Sequence, residues 1–148
     1  AVLFADVVVP GRLARDELFA FERLHTSVEA QRDGEILFAD AVRLEGGDHL
    51  CGPGLFGEFR VVGTFYVVAP GYDGVAELAD DLHGCVQSDG DEADPSAVGG
   101  ASVLPRESGV AVRVLGDRSS DVTARFHRVW DRARDALVGA GAPDTRKF

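Results

Sequence analysis

Between Gly109 and Gly139 the chain changes its hydrophobic period, and that change limits what it can fold into. Gly109-Val-Ala-Val-Arg-Val-Leu-Gly116 alternates and is rich in Val, which predicts a strand. Asp117-Arg118-Ser119-Ser120 is a turn cluster that offers helix N-caps, and Asp121 follows where the helix dipole favours a negative charge. Val122, Phe126, Val129, Trp130, Ala133 and Leu137 then recur at helical spacing, until Gly139, Gly141 and Pro143 stop the helix. Some twenty residues make a rod of roughly 30 Å. Its apolar stripe is expected to lie on a sheet, with Phe126 and Trp130 one turn apart. Arg125, Arg128, Arg132 and Arg134 flank the stripe, so Phe126, Trp130 and Arg134 are also candidate partner-binding residues.

Upstream, the chain reads as mainly β. Ala1 to Pro10 is an apolar segment closed by Pro10-Gly11. Leu18 to Ala30 alternates, with Leu18, Ala20, Leu24, Thr26 and Val28 on one face and Phe19, Phe21, His25 and Ser27 on the other. Asp33-Gly34 is a hairpin turn signal, and a strand from Glu35 to Glu45 follows with Asp40 among its apolar residues. Phe59 to Ala69 is a further, very apolar strand. Asp73 is placed to cap a helix from about Gly74 to Val86. The stretch 88–99 reads as an acidic loop. No Lys or Arg falls between Arg60 and Arg106, so an acidic middle contrasts with an Arg-rich last helix.

The 148 residues suffice for one domain with a core. The chain holds no Met and opens directly on Val2-Leu3-Phe4, as expected for the later part of a longer protein. Such a piece is expected to be poorly soluble without its upstream half or a partner. A net charge of −10 argues against nucleic acid as a partner. No apolar run is long enough for a bilayer and no signal peptide is visible, so no membrane role and a cytoplasmic location are expected. Cys51 and Cys85 are expected to be free thiols.

Three kinds of chemistry are open to the side chains. His49-Leu50-Cys51 and His83-Gly84-Cys85 are two His-x-Cys pairs; imidazole with thiolate suits zinc or nickel, although the spacing is not that of a standard finger or ribbon. A stand-alone metal-binding protein built on these four residues is the alternative to the reading below. Ser102, Ser108, Ser119 and Ser120 lie near no Gly-x-Ser-x-Gly elbow, and the four histidines are scattered, so nothing supports a nucleophilic triad. Asp80-Asp81 would point apart on a helix and make no catalytic dyad. No arrangement calls for an enzyme.

The ordered motifs resemble a known family. Gly11-Arg12-Leu-Ala-Arg-Asp-Glu17 after an apolar strand is similar to the "GR…GE" segment of the urease accessory protein UreD, with Asp16 where that family usually has Gly. Asp33-Gly34, the strand with Asp40, and the Gly-rich loop into Val61-Val62-Gly63-Thr64 follow in the same order. Gly100-Ala-Ser-Val-Leu-Pro105, the strand from Gly109 to Gly116, the Trp130 helix and the end at Arg146-Lys147-Phe148 complete the likeness, which covers the second half of the family's usual length. The resemblance implies a layered, β-helix-like body with two α-helices toward the C-terminus. It implies a non-catalytic scaffold for inserting nickel into apo-urease, in complex with UreF and, through UreF, UreG. Nickel would be transient cargo, with no tightly bound cofactor, moving through an internal passage. Glu22, His25 and Asp40 are the candidate lining residues.

Overall fold

A computed structural model of the chain describes residues 1–87 and 96–144. Its body is a four-stranded antiparallel sheet of β1 (Val2–Val8), β6 (Val61–Val68), β8 (Gly109–Gly116) and β7 (Ala97–Val103), in that spatial order. A hairpin of β4 (Arg23–Arg32) and β5 (Glu35–Glu45) covers one face, and α1 (Val75–Val86) and α2 (Ser119–Val138) cover the other. β2 (Gly11–Arg12) and β3 (Glu17–Leu18) form a minimal ladder at one end. The chain is mainly β, in layers, with two helices in its later part, as expected.

Alternation assigns the two faces of the sheet. Val61, Phe65 and Val67 of β6, with Val110, Val112 and Val114 of β8, face the helices and are buried against Leu78, Leu82, Val122 and Val129. The intervening residues face the hairpin: Tyr66 and Ala111 pack with Phe38 and Leu104, and Val62 and Leu115 pack near Leu50 and Phe56. Both central strands are therefore covered on both sides, which explains their near-continuous apolar runs. Gly63 marks where α2 comes closest: a Cβ there would lie 2.5 Å from Val122 and 2.7 Å from the Phe126 ring. Phe126 packs edge-on against Phe65, ring centroids 5.5 Å apart.

Asp33 and Gly34 both have left-handed backbones (φ 52° and 81°), as a two-residue type I′ turn requires. Arg32 therefore pairs with Glu35, and the ladder runs to Arg23 opposite Glu45, with one bulge at Ala30/Gln31.

Four sequence expectations need correction. The alternating run from Leu18 to Ala30 is not one strand. Phe19 has φ 59°, donates its N–H to Pro10 O at 2.7 Å and buries its ring on Phe56, so β3 ends and β4 starts only at Arg23. Asp73 does not cap α1; Gly74 holds the N-cap position with no side-chain bond. Ser119 and Ser120 sit inside α2, while the Arg118 backbone N–H donates to the Asp121 carboxylate at 3.1 Å. At the other end Gly139, φ 67°, closes the helix as predicted. β7 starts at Ala97, inside the stretch read as an acidic loop; the rest of that loop, 88–95, and the terminal Arg146-Lys147-Phe148 lie outside the described residues. Among the described residues no helix is long and apolar enough to cross a membrane.

Candidate functional site

Hairpin and sheet do not close completely on each other. Between them lies a cavity of about 170 Å³, walled by Leu24, Thr26, Val28, Asp40, Val42 and Leu44 from the hairpin and by Asp6, Val8, Val62, Thr64, Tyr66 and Arg113 from the sheet. A second, more open space of about 360 Å³ lies beside it, walled by Phe38, Ala39, Asp40, Ala111, Arg113 and the run from Gly100 to Pro105. Asp40 and Arg113 are the two residues that line both.

Strand period brings them together. Asp40 lies on the inward face of β5 with Phe38 and Leu44, and Arg113 lies on the hairpin face of β8 between Ala111 and Leu115. One oxygen of the Asp40 carboxylate accepts from the Tyr66 hydroxyl at 2.7 Å and from the Arg113 guanidinium. Burial alone would raise the pKa of Asp40, but the Tyr66 hydroxyl and Arg113 outweigh it and hold the carboxyl below its usual range. Desolvation and the adjoining carboxylate push the Tyr66 phenol up to about 12. Burial opposes the charge on Arg113, yet Asp40 more than offsets this and raises the guanidinium further. At neutral pH the trio is thus a phenol, a carboxylate and a guanidinium.

The other predicted site residues fall elsewhere. Glu22 and His25 are exposed and line neither space; the inward side of β4 is carried by Leu24, Thr26 and Val28. His49 and Cys51 belong to a short 3-10 turn, Asp48–Cys51, beside the core cluster on the hairpin side of the sheet. His83 and Cys85 belong to α1 on the opposite side. The two pairs therefore do not meet, and among the described residues no three His, Cys, Asp or Glu side chains come close enough to hold a metal ion. His83 is engaged locally, its Nδ1 accepting from the Ala101 N–H at 3.2 Å. Phe126 is buried in the core and offers no docking surface, whereas Trp130 is half-buried at its edge and Arg134 donates to Gly141 O at 3.1 Å.

Asp6, Thr26, Thr64, Tyr66 and Arg113 are the lining groups that sequence reasoning missed. Asp6 and Arg113 carried a signal: each is a charge inside an otherwise apolar strand. Such a charge needs a polar interior or water on its side of the sheet.

These features define a layered β scaffold enclosing a small charged space, with oxygen donors on both walls. The model of the UreD urease accessory protein family matches residues 1–147, and the chain belongs to that family. It is 50% identical over 145 residues to the urease accessory protein UreD of Haloarcula marismortui, covering 97% of this chain and 46% of that protein. The UreD proteins of Natronomonas pharaonis and Haloquadratum walsbyi are 40% and 37% identical, with 99% and 96% of this chain covered and 48% and 45% of theirs. The chain spans about half the length of these curated relatives.

Proposed function

We infer that this chain works as a non-catalytic scaffold in urease maturation, helping nickel reach apo-urease in the cytoplasm as part of a complex with UreF and, through UreF, UreG. The match to the UreD family over residues 1–147 carries this reading. Nickel is transient cargo rather than a resident cofactor. The space between hairpin and sheet supports a role as part of the cation's route: its oxygen groups can replace water around a divalent ion, and the absence of a third close acidic, His or Cys ligand among the described residues lets the ion leave. Among the residues first singled out, Asp40 keeps its candidacy as lining.

Co-expression with UreF followed by size-exclusion chromatography tests the scaffold. The chain is expected to co-elute with UreF; a folded sample that never does so refutes the assignment of this contact to the chain. A filled cavity tests the route. Thr26→Phe should leave the UreF complex intact and lower the nickel content of co-expressed urease by about ten-fold. Undiminished nickel content with the folded variant would remove the cavity from the route.

A further inference from the structure

The two spaces meet at a single ion pair, and its partners are unequally fixed. Asp40 is held by the Tyr66 hydroxyl at 2.7 Å, and its side chain is 22% exposed. The Arg113 side chain, which Tyr66 also engages, is 54% exposed and reaches the same carboxylate oxygen from the sheet. If the contact breaks, the guanidinium can move into water while the carboxylate stays hydrogen-bonded inside.

We propose that Arg113 is a tethered cation that occupies the junction of the two spaces, so that a divalent ion passes only by exchanging with the guanidinium at Asp40. This rests on the reading of the inter-sheet space as a cation route, and it concerns how that route is closed. Guanidinium and a hydrated divalent ion compete for one carboxylate, and each repels the other at this distance. With Arg113 in place the junction is neutral and closed. With Arg113 displaced, Asp40 presents a carboxylate to both spaces, and Tyr66 keeps it aimed there. Ion release follows when the guanidinium returns, since the tether keeps its local concentration high.

Nickel titration of the chain within the full-length protein in its UreF complex, followed by paramagnetic broadening of backbone amide resonances at Ala39, Asp40 and Arg113, tests the exchange. Arg113→Gln should lower the half-saturating Ni²⁺ concentration at these amides by about ten-fold or more. Arg113→Lys, which keeps a tethered charge, should stay near wild type. Adding Asp40→Asn to Arg113→Gln should abolish the broadening. Equal Ni²⁺ response in wild type and folded Arg113→Gln overturns the proposal. The wild-type complex offers a second test that needs no substitution. Diamagnetic Mg²⁺ should move the Arg113 Nε–H resonance toward that of a free guanidinium as the Asp40 amide saturates. An Arg113 resonance that stays fixed while the Asp40 amide saturates also overturns it. The Thr26→Phe experiment reports on the route itself. Lost nickel delivery there, with no gain in Arg113→Gln, leaves the route and removes the plug.

Discussion

Asp40 joins two other groups at one carboxylate oxygen, the Tyr66 phenol and the Arg113 guanidinium. Asp40→Asn keeps an acceptor for Tyr66 but removes the charge, so the Tyr66 phenol should fall from about 12 back toward its ordinary value of 10.0, with burial retaining part of the rise. Ultraviolet titration reads this directly, with Tyr66→Phe isolating Tyr72, the other tyrosine. The same variant should lose about 1–2 kcal/mol at neutral pH, because the bond from Tyr66 loses its charge assistance and the exposed pair with Arg113 is lost with it. The pH dependence has a definite sign. A carboxyl lowered by folding stabilises above its unfolded value and loses that contribution as pH falls through the folded one. The stability gap between wild type and Asp40→Asn should therefore close below about pH 4, measured by urea unfolding. The strand pattern set Asp40 among apolar residues of β5, and the resemblance made it a candidate for lining. Glu22 and His25 came from the resemblance; the alternation already set His25 opposite Leu24, Thr26 and Val28, and the break at Phe19 leaves Glu22 outside β4. Phe19's positive φ depends on a distant carbonyl and a distant ring, which no local pattern encodes.

Elements were more legible than sites. The Asp33-Gly34 turn, β5, β8 and the body of α2 were set by turn chemistry and by period, both local properties. The caps were not, since Gly74 and Arg118 take those positions through the path of the chain rather than by side-chain preference. Nor was the seat of α2, which depends on a missing side chain at Gly63. Gly63→Ala should cost about 1–3 kcal/mol by overpacking, since Val122 and Phe126 must both give way to the new methyl group. Chemical denaturation should show this as an earlier midpoint with an unchanged slope. Arg125 is a second example. It read as a flanking surface base, yet it is 2% exposed and donates to the Val86 and Ala97 carbonyls, tying the end of α1 to the start of β7. Its spacing alone gave no hint, because a charged residue beside a stripe reads as solvated until its partners are known.

At the scale of the molecule, the layers are joined in two different ways. The sheet of β1, β6, β8 and β7 is one continuous ladder, and the helices lock onto it through the largest buried cluster. Among the described residues β4 and β5 share a ladder only with each other and meet the sheet through side chains, the shared charged cavity among them. The molecule therefore has a seam. Side-chain contacts around a cavity are easier to part than a ladder buried on both faces, so the hairpin should behave as its own cooperative unit. Native-state hydrogen exchange should find the amides of β6 and β8 protected up to global unfolding and those of β4 and β5 released together at lower free energy. Uniform release would mean that the layers open only as one. A wall that comes away whole can loosen and be remade without dismantling the core that supports it.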